Sequence, residues 1–89
     1  MATVFFTSSM RQHVPFPETQ SPGGTVREVL DGVFAANPQA RHYLLDHSST
    51  LRKHIVIFVD GDMISDRVHL SDAVGETSAI HVFQAFSGG

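Results

Sequence analysis

The chain has 89 residues, 42% hydrophobic and 17% charged, which fits one globular domain with a single modest core. Its net charge is −3, and its six Lys and Arg residues (Arg11, Arg27, Arg41, Arg52, Lys53, Arg67) are scattered along the sequence, which argues against a nucleic-acid partner. The absence of cysteine excludes disulfides, thiolate zinc sites and Cys nucleophiles.

The opening "MATVFFTSSM" lacks the basic lead and apolar core of a secretory signal. The longest apolar run, residues 55–59, is far too short to cross a bilayer. A cytoplasmic protein without a membrane partner is the expectation.

In chain order, residues 3–7 are β-branched and aromatic and predict a strand, with Ser8-Ser9 as a tight turn. Residues 11–17 alternate weakly and carry Pro15 and Pro17, so they predict an edge strand closing a hairpin. "ETQSPGG" then reads as a loop. Thr25-Val26-Arg27-Glu28 has the pattern of a capping box. Behind it Val26, Val29, Leu30, Val33 and Phe34 fall on one helical face, and Asn37-Pro38 ends the helix. Gly32 inside that helix costs about 1 kcal/mol relative to Ala, and points to close packing against a sheet.

A second, shorter helix is expected over residues 39–45, with Tyr43, Leu44 and Leu45 on its buried side. Residues 55–59 are apolar at every position and predict a central strand covered on both faces. Asp60-Gly61 is a hairpin turn, and Met63-Ile64 the short returning strand. The last strand runs over residues 78–83, with Ile80 and Val82 facing one way and His81 and Phe83 the other. The order predicts an α+β fold. One main helix and a short second one pack across a mixed sheet of four or five strands, and the first and last strands are parallel.

That order, with Gly88-Gly89 after the last strand, resembles the ThiS/MoaD family of ubiquitin-like β-grasp sulfur carriers. "GGTVREVLDGV", "LRKHIVIFVDGDMI", "IHVFQAF" and "SGG" carry the likeness in the family's order. Residues 38–53 look more like the longer MoaD-type members. Gly75-Glu76 only approximates the turn that family members often place before the last strand.

The resemblance implies that an E1-like enzyme, using ATP and magnesium, adenylates the Gly89 carboxylate. A sulfur donor then displaces AMP and leaves a thiocarboxylate, whose soft, ionised sulfur passes to an acceptor enzyme. The chain is then a co-substrate rather than an enzyme, with no bound cofactor, or else the small subunit of a molybdopterin-synthase-like complex. A ubiquitin-like modifier joined through Gly89 to lysines, and a non-activated interaction module, are the competing readings.

The residues suit that chemistry. Gly88 and Gly89 lack a Cβ and let the backbone approach a nucleotide site closely. A domain over residues 1–84 with a tail over 85–89 is expected, and the tail can extend roughly 17 Å at about 3.4 Å per residue. Ser87 and Gly88 are expected to contact the partner with it. Phe83 is expected to pack on the sheet, within the partner-binding region. Phe86, beyond the strand, is expected as a partner anchor.

The six histidines (His13, His42, His47, His54, His69, His81) form no metal-binding spacing, and no metal is expected. Asp60, Asp62, Asp66, Asp72 and Glu76 read as turn-formers, with an acidic docking face as the other reading. Lys53 reads as a surface charge.

Overall fold

The computed structural model describes residues 1–10, 14 and 16–84. Strand β1 (Ala2–Phe6) leads through a short 3₁₀ turn (Ser8–Met10) to β2 (Glu18–Ser21). Helices α1 (Val26–Ala36) and α2 (Pro38–Leu44) follow, then β3 (Ile55–Val59), β4 (Asp62–Met63) and β5 (Ala79–Gln84). The five strands form one mixed sheet in the order β2-β1-β5-β3-β4. β1 and β5 are parallel, as expected, and the other neighbours are antiparallel, with β5 at the centre of the sheet.

Alternation along the strands separates the two faces. Ala2, Val4 and Phe6 of β1, Ile55 and Ile57 of β3, and Ile80 and Val82 of β5 are buried. They share one core with Val26, Val29, Leu30, Val33 and Phe34 of α1 and Ala40 and Leu44 of α2. Each such large apolar side chain contributes about 1.5–3 kcal/mol relative to exposure.

The start of α1 departs slightly from the reciprocal capping pattern. Thr25 Oγ1 accepts from the Glu28 amide at 3.2 Å, but Glu28 Oε1 accepts from the Gly24 amide at 2.8 Å, one residue ahead of the cap. Of the orphan amides of the first turn, that of Glu28 goes to Thr25, and those of Val26 and Arg27 go to the Asp72 and Leu70 carbonyls at 3.1 and 2.9 Å. Gly23 is required here: its φ is 150°, and a Cβ would stand 2.8 Å from both Glu28 Cβ and the Val29 nitrogen. Gly32 confirms the close approach its position implied, since a Cβ there would lie 2.2 Å from Ser21 Oγ. Asn37 ends α1, and Pro38, expected only as a stop, also opens α2.

Three expectations are corrected. The second strand of the first hairpin is Glu18–Ser21, inside the stretch read as a loop. Of the expected strand at 11–17, residues 11–13 and 15 lie outside the described residues, and the described Val14 and Phe16 are not in a strand. β2 needs to bury only Ser21, so its polar sequence shows no apolar alternation.

Ser8-Ser9 is not a tight turn either. It enters a long connection that buries Met10 and Val14 in the core. Finally, β3 is not covered on both faces: Ile55 and Ile57 are buried, whereas Val56, Phe58 and Val59 are half-buried. Small shifts affect α2, which begins at Pro38, and β4, which is Asp62–Met63.

Candidate functional site

The face of the sheet away from the helices carries an unusual row. Register pairs Phe5 with Glu18 and with His81, and pairs Phe58 with His81 and with Met63. Glu18, Phe5, His81, Phe58 and Met63 therefore line up across all five strands, on the side opposite the core. The His81 ring stacks on Phe5 at 4.7 Å and lies nearly parallel to Phe83 at 6.1 Å. Phe83 meets Phe58 edge-on at 5.6 Å. Met63 is 58% exposed and Phe83 39%. An apolar groove of about 440 Å3, lined by Phe58, Gly61, His81 and Phe83, opens on this face. Phe5, Phe58 and His81 are half-buried, so the row is a partly exposed aromatic surface open at Phe83 and Met63.

The Asp60-Gly61 turn holds one end of the groove. Its φ angles, 51° at Asp60 and 91° at Gly61, are those of a tight hairpin turn, as the sequence predicts. Asp60 also reaches across to the start of β5. Its carboxylate accepts from Ser78 Oγ at 2.7 Å and from the Ala79 amide at 2.9 Å. These bonds hold its carboxyl below the usual range, the Ala79 amide first and the Ser78 hydroxyl second.

Asp66 and Asp72 are turn-formers too. Asp66 accepts from the Val68, His69 and Ser71 amides and from Ser71 Oγ, while Asp72 accepts from the Ser65 and Asp66 amides. Asp62 and Glu76 are exposed.

At the other end of β5, the Tyr43 hydroxyl of α2 donates to Gln84 Oε1. This fastens the strand that leads toward the terminal glycines. Of the expected contact residues, Phe83 lies on the open face, more exposed than packing on the sheet implied. Phe86, Ser87, Gly88 and Gly89 lie outside the described residues.

Sequence reasoning missed Phe5, Phe58 and Met63 as members of the same face. The alternation of β1 could have pointed Phe5 outward, but a run apolar at every position hides the two-faced character of β3. Among the described residues, no group of three or more His, Asp or Glu side chains could hold a metal ion. No described helix is long and apolar enough to cross a membrane.

A profile of the ThiS family matches residues 5–89. The chain belongs to the ThiS family. The match runs through the final glycine pair, so it takes in the terminus as well as the fold. Solved structures agree on that fold. A chain of the BexX/CysO complex of Amycolatopsis orientalis superposes with a TM-score of 0.86 at 21% identity, covering 100% of both chains. CysO of Mycobacterium tuberculosis gives 0.83 at 20% identity, over 97% of this chain and 100% of that one. Small archaeal modifier protein 1 of Methanosarcina acetivorans gives 0.79 at 22% identity, over 99% and 95%. No curated protein sequence matches. The architecture of this ThiS-family chain is thus the ubiquitin-like β-grasp.

Proposed function

We propose that this ThiS-family chain is a sulfur carrier that works through the carboxylate of Gly89. An E1-like enzyme joins that carboxylate to the α-phosphate of ATP, with magnesium, and releases pyrophosphate. A sulfur donor then attacks the acyl carbon and AMP departs, leaving a thiocarboxylate for an acceptor enzyme in cofactor or metabolite biosynthesis. Residues 85–89 act as the tail that enters the partner's nucleotide site, with Ser87 and Gly88 in contact there and Phe86 as an anchor. The folded domain, residues 1–84, supplies the grip. The carrier needs no cofactor of its own, and it acts in the cytoplasm.

The observation that carries this reading is the family match through Gly89. The open aromatic face supports it by giving the E1-like enzyme a surface beside β5, so that docking and delivery of the tail are coupled. An isolated carboxylate is a poor electrophile, and binding energy from this remote face offsets the entropic cost of holding the chain end in the partner's nucleotide site.

A second reading is a ubiquitin-like modifier linked through Gly89 to lysines. It is favoured by the likeness to small archaeal modifier protein 1. Activation is the same in both, and only the final nucleophile differs.

The test is intact mass spectrometry after incubation with an E1-like enzyme, ATP, magnesium and sulfide. A gain equal to replacing one oxygen by sulfur, absent when Gly89 is deleted, is the expected result. A ladder of lysine-linked conjugates without thiocarboxylate would favour the modifier. Neither product with any E1-like enzyme tried would leave an interaction module.

A further inference from the structure

Cations that are scattered in the sequence are gathered by the fold. Arg27 of α1 donates through Nε to the His69 carbonyl at 3.2 Å, and through its terminal nitrogen to Ser49 and Val68 carbonyls at 2.8 and 3.2 Å. Arg41 of α2 donates to the hydroxyl of the same Ser49 at 2.5 Å. Arg67 donates to the Arg52 carbonyl at 2.8 Å, and Arg52 donates to the His42 carbonyl at 3.0 Å. Four of the five arginines thus converge on the 49–52 loop and its neighbours, with Lys53 exposed beside them.

None of these guanidinium groups forms an ion pair among the described residues. Arg27 has Asp31 one turn along its own helix, yet reaches for loop carbonyls instead. Glu28, Asp46 and Asp66, the carboxylates adjacent in sequence or in the same loops, accept from amides and hydroxyls and not from a guanidinium, though they keep their own charge. Carbonyl oxygens satisfy some of the donors but neutralise no charge. Each guanidinium retains free N–H groups, because it carries five and uses at most a few. All four arginines are half-buried and pinned, so docking them would cost little further side-chain entropy.

We propose that this arginine cluster is a docking face for a compact acidic patch on a protein partner. It draws on α1, α2 and two loops and uses nothing from the open face of the sheet, so it stands independently of the carrier reading. The rest of the chain argues for a compact patch over an extended polyanion. Nine acidic residues against six basic ones give net charge −3, and Asp60, Asp62 and Glu76 are exposed. A long phosphate backbone would be opposed by the net negative charge of the whole chain, whereas a local acidic patch meets chiefly the arginines.

The test is a titration of the isotope-labelled full chain with a peptide of alternating Glu and Gly residues, followed by amide NMR shifts. Shifts are expected at Arg27, Arg41, Ser49, Arg52 and residues 67–69, and they should shrink as salt rises from about 0.02 to 0.15 M. Arg41→Gln/Arg67→Gln should weaken binding by about tenfold or more. Arg41→Lys/Arg67→Lys, which keeps the charge, should stay within a few-fold of wild type. Absence of shifts at those amides up to about 1 mM peptide would overturn the proposal. So would equal binding by the Gln variant, or tighter binding of a heparin fragment at the same amides. The salt dependence of the wild-type chain decides the question if the Gln variant does not fold.

Discussion

Tyr43 on α2 and Gln84 at the end of β5 are joined by a hydrogen bond from the phenol to the side-chain amide oxygen. The Tyr43 ring also meets His54 edge-on at 6.1 Å, so one side chain links α2 to the segments before β3 and at the end of β5. A small helix thereby fixes the strand end from which the terminal segment continues. Replacing Tyr43 by Phe should keep the ring and remove the bond, at a stability cost of about 0.5–1.5 kcal/mol. Single-turnover thiocarboxylate formation should slow by several-fold at saturating E1-like enzyme if this tether orients delivery. An unchanged rate would make Tyr43 a purely structural residue.

Phe83 gives the complementary prediction. It is 39% exposed but packs on Phe58 and His81, so Phe83→Ser should cost about 1–3 kcal/mol of stability and leave the fold intact. Loss of an aromatic anchor at a docking face costs about 2 kcal/mol or more in binding. The KM of the adenylating step should therefore rise by about tenfold or more with little change in kcat. A fall in kcat at unchanged KM would place Phe83 outside the docking face.

The contact between Gly32 and Ser21 is testable by double substitution. Gly32→Ala puts a methyl group against Ser21 Oγ, and overpacking of about 1–3 kcal/mol, less the roughly 1 kcal/mol that Ala gains in a helix, leaves a net loss of up to about 2 kcal/mol. The Ser21 hydroxyl is buried and has no hydrogen-bond partner, so Ser21→Ala should be close to neutral or stabilising. The pair together should recover much of the loss in a denaturant melt. Additive losses would show that the helix backbone, not the serine, meets the methyl group.

Acid sensitivity should reside in the turns. Asp66 lies well below the ordinary value of 3.8, chiefly through the Ser71 hydroxyl and then the His69 amide. Asp46 is lowered by the Thr50 hydroxyl and amide, and Asp60 by Ala79 and Ser78. A carboxyl with a depressed folded pKa stabilises fully above its unfolded value. That contribution disappears as pH falls from about 3.8 through the lower folded pKa. Melting temperature should therefore fall below about pH 4, and Asp66→Asn should lower it at pH 7 while flattening the acid limb. An acid limb identical to wild type would show that Asp66 does not carry it.

The amino-acid sequence by itself determined the elements whose local chemistry agrees with their surroundings. Thr25 and Glu28 start α1, the spacing from Val26 to Phe34 sets its buried face, Asp60-Gly61 makes a turn only a left-handed backbone can make, and Ile80 and Val82 alternate with His81 and Phe83. Family membership was legible for the same reason, because those pieces recur in order with the glycine pair.

Tertiary structure decided what depends on partners distant in sequence. β2 forms at Glu18–Ser21 because β1 offers an edge there, although its own side chains are polar. The open face exists because β1, β5 and β3 bring Phe5, His81 and Phe58 into register, and no short window contains them all. The arginines, tens of residues apart, meet because two loops close over the ends of α1 and α2. Periodicity reports one element at a time, while a surface is made by several.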